Sequence, residues 1–160
     1  MNALLHCAGA FYAPTGDSVK NIWLPFIVFV VILSERMADI KNIFIVEDDR
    51  FLSSLMKARL EKEGFVVTQL FDGEEAVEQL KTSKPDLILL DLIMPKVSGF
   101  EVLEQISIDP QTNTIPIIVL TNLAQGNDVD KAKQYGAKEY FVKVRTSVND
   151  IVERVRNLVR

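Results

Sequence analysis

The sequence predicts an α/β protein built on a five-stranded parallel sheet with helices on both faces. Three observations carry that expectation. Short apolar, β-branched runs recur at Ile43–Val46, Phe65–Leu70, Leu87–Leu90, Ile117–Leu120 and Tyr140–Val142. Stretches with helical spacing lie between them, and strands alternating with helices form parallel sheets. The third run is apolar throughout, as a strand buried on both faces must be. With 160 residues, the chain is long enough for one domain with a full core and leaves little room for a second.

The elements follow in order. The first run leads into a helix whose apolar face is Leu52, Leu55, Met56 and Leu60, with Gly64 as its stop. The second precedes a shorter face of Ala76, Val77 and Leu80. The third ends on Asp91 and turns through Met94 and Pro95 to Gly99, ahead of Val102, Leu103 and Ile106. A helix around Asp128 to Tyr135 follows the fourth run and stops at Gly136. It carries few apolar residues and is expected to be the least firmly held element. After the fifth run, Val148, Ile151, Val152, Val155 and Val159 make the cleanest amphipathic stripe.

Residues 1–36 have a different character. They contain the apolar run Asn21 to Leu33, interrupted by Pro25. A membrane-spanning helix needs roughly 20 apolar residues, so the run is short for a span. No small-residue cleavage site follows it, as a signal peptide requires. The expectation is a single folded unit over residues 37–160 starting at Met37, preceded by an over-extended start or a short apolar anchor or arm.

Composition narrows the function. The net charge is -4, with both signs dispersed along the chain, which disfavours nucleic acid as the main partner because phosphate-binding faces cluster their basic residues. One cysteine excludes an intrachain disulfide, and one histidine with one cysteine leaves no zinc site of the Cys and His type. Any metal would be a hard cation held by oxygen.

In open parallel sheets, ligands bind outside the carboxyl ends of the strands. The residues standing there are Glu47, Asp48 and Asp49 after the first strand, Asp91 after the third, Thr121 after the fourth and Lys143 after the fifth. Asp49 reads as a helix N-cap. The others bring carboxylates, a hydroxyl and an ammonium to one edge of one sheet. Such carboxylates repel one another unless a cation sits among them, and Mg²⁺ (or Mn²⁺) suits oxygen ligands of this kind. The chemistry that uses the whole set is phosphoryl transfer to a carboxylate. Asp91 would be the nucleophile, with Lys143 and Thr121 stabilising the phosphoryl oxygens.

The motifs "IFIVEDD", "LILLDLIMPKVSGFEVL", "IIVLTN" and "GAKEYFVK" resemble those of response-regulator receiver domains of two-component signalling. The resemblance runs from Asp39 to Arg160. It implies the doubly wound, flavodoxin-like fold with strand order 2-1-3-4-5, and a cytoplasmic domain that is not an enzyme in the ordinary sense. By position, Glu47 and Asp48 match the acidic pair, Asp91 the phosphoacceptor, and the Ile93 carbonyl a further metal ligand. Thr121 matches the switch hydroxyl, Tyr140 the switch aromatic and Lys143 the partner lysine. The resemblance also implies a histidine kinase or histidine phosphotransfer protein as donor and an effector as target, both in trans. Direct DNA binding is not expected, and membrane contact only through residues 1–36.

Three departures stand out. Val144 replaces the usual proline after Lys143, and a cis bond before a non-proline costs about 2.5–4 kcal/mol, so this bond is expected to be trans. Asn122 stands where the family has a small residue. Ile93 and Leu123 occupy the positions that tune attack of water on the phosphoaspartate, and both are apolar, implying slow self-dephosphorylation. Two other readings compete. A haloacid-dehalogenase-type phosphatase would need an acidic residue at Ile93, and a phosphorylation-independent scaffold would leave Asp91, Thr121 and Lys143 without a use.

Overall fold

The computed structural model describes residues 40–159. The expectations for residues 1–36, and for a start at Met37, lie outside them. Five strands alternate with five helices. These are β1 (Asn42–Val46), α1 (Arg50–Lys62), β2 (Val66–Leu70), α2 (Gly73–Thr82), β3 (Leu87–Leu90), α3 (Gly99–Ile108), β4 (Ile117–Thr121), α4 (Gly126–Gln134), β5 (Glu139–Val142) and α5 (Val148–Leu158). All neighbouring strands are parallel, in the order β2-β1-β3-β4-β5.

Strand periodicity divides the core in two. Phe44, Val46, Ile88, Leu90, Ile117 and Val119 face one side, against Val102, Leu103, Ile106 and Ala132. Their neighbours Ile43, Ile45, Leu87, Leu89, Ile118 and Leu120 face the other, against Met56, Leu60, Ile151 and Val155. Successive side chains of a strand point to opposite faces, so α1 and α5 cover one face while α2, α3 and α4 cover the other. Among the described residues no helix is long and apolar enough to cross a membrane.

The expected helix stops hold. Gly64 and Gly136 have φ of 93° and 90°, a left-handed conformation that glycine adopts without penalty. Some details differ. Leu55 is 41% exposed, and Ser53 takes its place on the buried line with Met56 and Leu60. At 3.6 residues per turn, positions 53, 56 and 60 share a face that position 55 leaves. The buried hydroxyl is satisfied, since Gln69 Nε2 donates to Ser53 Oγ at 2.8 Å. Thr121 is the last residue of β4 rather than the first beyond it, because β5 pairs with it through Val142. The fourth helix begins at Gly126 and ends at Gln134, earlier at both ends than expected.

Candidate functional site

The sheet itself positions the two central carboxylates. Glu47, the first residue past β1, donates its N–H to the Leu70 carbonyl at 3.0 Å, and Asp91, the first past β3, donates to Val46 at 2.9 Å. Chain order reverses direction between β1 and β3, which is where ligands bind in this architecture. The buried strand that ends on Asp91 thus serves as a rigid mount. Gly99 fits closely beneath it, because a Cβ there would lie 2.0 Å from the Asp91 carbonyl oxygen.

Lys143 closes the site from β5. Its Nζ donates to Asp91 Oδ2 at 2.6 Å and to Glu47 Oε1 at 2.7 Å. Among the described residues no peptide bond is cis, so Val144 follows Lys143 through a trans bond, and the lysine still reaches both carboxylates. Asp48 stands beside them, exposed. One oxygen from each of Glu47, Asp48 and Asp91 lies within 4.8 Å of the others. They open into a cleft of about 460 Å³, also lined by Ile93, Asn122 and Val144.

The charges are unbalanced. Burial pushes the Glu47 carboxyl up from 4.5 to about 7, with the Asp91 charge adding to the rise, although Lys143 works against it. Burial also acts to lower Lys143, but its hydrogen bonds to Asp91 and Glu47 outweigh that and hold it above the usual lysine value. Three carboxyl groups facing one ammonium leave a surplus of negative charge at the cleft. That donor set fits a hard divalent cation, which prefers carboxylate oxygen and tolerates open positions.

The other expected residues are placed less uniformly. Asp49 caps α1, accepting from the N–H groups of Phe51 and Leu52 at 2.9 and 3.1 Å. Thr121 is fully buried at the end of β4, and its Oγ1 accepts a long bond from the Leu123 N–H at 3.4 Å. Ile93 stands at the cleft, 53% exposed, and its N–H donates to Asp91 Oδ1 at 3.1 Å. Leu123 instead packs against the apolar core, as does Tyr140, whose hydroxyl donates to the Leu123 carbonyl at 3.1 Å. Two features had no signal in the sequence. One is the Ile93 amide on Asp91. The other is Leu52, an expected core residue that also lines the cleft.

A carboxylate held beside an ammonium, next to further carboxylates able to hold a cation, is equipped to take up a phosphoryl group. Comparison with known proteins bears on the same point. Residues 43–156 match the family model described as the response regulator receiver domain. The chain belongs to that family. It is a receiver domain of two-component signalling. Over 119 residues it is 38% identical to the DNA-binding dual master transcriptional regulator RpaA of Synechocystis, covering 74% of this chain and 49% of the relative. The chain spans about half the length of the curated relatives it matches. Among solved structures, the receiver domain of a signal transduction histidine kinase from Syntrophus aciditrophicus is similar at 31% identity and a TM-score of 0.69. That match covers 74% of this chain and 89% of the other. The phosphorylated cyanobacterial phytochrome response regulator RcpA is similar at 31% identity and a TM-score of 0.66, covering 74% and 91%.

Proposed function

We propose that this receiver accepts a phosphoryl group on Asp91 from a phosphohistidine supplied in trans by a histidine kinase or phosphotransfer protein. The observation that carries the reading is the contact of Lys143 Nζ with Asp91 Oδ2 at 2.6 Å, inside a cluster of three carboxylates. An Asp91 carboxylate oxygen forms the bond to phosphorus while the donor's P–N bond breaks, and the imidazole leaves. Lys143 then holds a phosphoryl oxygen, and the Thr121 hydroxyl turns to donate to another. Glu47, Asp48, Asp91 and the Ile93 carbonyl would hold Mg²⁺, which neutralises phosphoryl charge when bound.

The switch works through the β4–α4 connection. Once Thr121 is drawn to the phosphoryl group, its contact with the Leu123 N–H is given up. Tyr140, now bonded to the Leu123 carbonyl, follows the rearrangement. The output is either a changed surface for an effector in trans or onward transfer of the phosphoryl group, without direct DNA contact. Residues 37–160 form this cytoplasmic unit in the proposal, with membrane attachment confined to residues 1–36. Ile93 offers no polar group to orient water at the cleft, so the phosphorylated state is long-lived. Ile93→Asn should shorten that lifetime, as followed by loss of the adduct with time.

The test is intact mass after incubation with acetyl phosphate and Mg²⁺. A phosphoryl adduct that needs the cation and is absent in Asp91→Asn is expected. An adduct of equal size in Asp91→Asn would remove Asp91 from this role.

A further inference from the structure

The loop between β3 and α3 bears Ile93, two observations tie that loop to the start of α2, away from the cleft, and a third marks its backbone as constrained. Lys96 Nζ donates to Asp72 Oδ2 at 2.6 Å and lies 3.7 Å from Glu74 Oε2. Asp72 is the N-cap of α2, its other oxygen accepting from the Glu75 N–H at 2.8 Å. Gly73, the next residue, is buried so closely that a Cβ would lie 2.3 Å from the Val97 carbonyl oxygen. Finally, Lys96 has φ 65°. It is the only described non-glycine residue with positive φ, a conformation that persists where the surroundings over-determine it.

These contacts constrain residues 96 and 97, while Gly99 is wedged under Asp91 and donates its N–H to the Leu92 carbonyl at 3.1 Å. The loop is therefore pinned beyond Ile93 on two sides, and the Ile93 N–H is the one that holds Asp91 Oδ1. We infer that Asp72, Gly73 and Lys96 form a clamp that positions the Ile93 amide, and through it the Asp91 carboxylate, for phosphorylation. They are positioning residues, since none of them lines the cleft. The inference rests on Asp91 being the phosphoacceptor.

The clamp has a mechanical logic. Asp91 must keep one oxygen directed at the incoming phosphorus while the Ile93 N–H and Lys143 hold its orientation. If the loop drifts, the amide leaves Asp91 and the carboxylate gains a rotational freedom that a near-attack geometry cannot tolerate. An exposed ion pair alone is a weak restraint. Here it acts beside a close backbone fit, so each part of the clamp is separately testable.

Two substitutions isolate the ion pair. Asp72→Ser keeps a capping side chain and loses the charge, and Lys96→Met loses the charge at the other end. Hydrogen exchange of the Ile93 amide in metal-free protein reads the loop without any phosphorylation. The rate of adduct formation with acetyl phosphate and Mg²⁺ reads the consequence. Both variants should exchange Ile93 about two- to fivefold faster and take up phosphate slower by a similar factor, the range set by one exposed pair. Lys96→Arg should restore both values, and amides of α4 should be unaffected. Gly73→Ala, which drives a Cβ against the Val97 carbonyl, should have the larger effect on both readouts, and a smaller effect than the ion-pair variants would remove Gly73 from the clamp. Unchanged Ile93 exchange in both Asp72→Ser and Lys96→Met would overturn the clamp. Faster exchange with an unchanged rate of phosphorylation would also overturn it, because the loop would move without consequence at Asp91. Absence of any adduct in the wild type would instead remove the reading of Asp91, and exchange would still report on the loop.

Discussion

α3 and α4 lie on the same face of the sheet, yet they are fixed in different ways. α3 starts with a capping box in which the Ser98 hydroxyl and Glu101 satisfy each other's backbone groups, and it buries Val102, Leu103 and Ile106. α4 has Gln125 at its N-cap position with no side-chain cap, and it buries only Ala132. The contact of Lys131 Nζ with the Phe100 ring, 4.4 Å from its centroid, joins the two. The lesson is a division of labour. The helix behind Asp91 is anchored by burial and caps, and the helix after Thr121 is held by few contacts, so it is the one that can be repositioned at small energetic cost.

The largest test breaks that comparison in the core. Leu103→Ala should lose about 2–5 kcal/mol in urea unfolding, against about 1 kcal/mol for Ala132→Gly, mostly from helix propensity. Equal losses would mean that α4 is as firmly built in as α3.

The cleft itself carries an electrostatic strain, at Glu47. Burial holds the folded Glu47 carboxyl at about 7, against 4.5 for a solvated glutamate. Between these values the native state binds more protons than the unfolded chain, so stability is fullest below 4.5 and declines as pH rises through about 7. In metal-free protein the decline should be on the order of 2–3 kcal/mol between pH 4.5 and 8. Glu47→Gln should flatten it, and a curve of the same slope in that variant would assign the titration elsewhere.

Caps provide a smaller and more symmetrical comparison. Ser98→Ala should destabilise by about 1 kcal/mol. Gln125→Ser, which gives α4 the acceptor it lacks, should stabilise by about 0.5–1 kcal/mol and slow amide exchange in its first turn. An effect of similar size to the Gln125 change belongs to Lys131→Met. Removing an exposed cation–π contact should change stability by about 0.5–1 kcal/mol, while amides of α4 should exchange faster than those of α3.

Much of this was legible before any coordinates. Five runs of β-branched and apolar residues locate the strands to within a residue or so, most sharply in the three central strands, where burial on both faces tolerates little else. Asp91, Glu47 and Lys143 stand out because they follow such runs directly. Other features were not legible. Leu55 satisfied the apolar pattern, but Ser53 took the buried position, since a partner from β2, Gln69, satisfied its hydroxyl. Tyr140 and Leu123 gave no sign of sharing a hydrogen bond across 17 residues. Lys96 gave none of its left-handed backbone.

Local pattern is enough to set the class of fold, the end of each strand and the set of groups gathered at one edge. Burial patterns and turn residues are local, and they repeat at fixed periods that can be read along the chain. Which groups touch depends on the folded chain. Lys143 reaches Asp91 from 52 positions away, Lys96 reaches Asp72 across 24, and Gly73 meets Val97 only because two separate turns converge at the same sheet edge. Contacts of this kind depend on strand order and on the direction in which each loop leaves the sheet, and no local period encodes either.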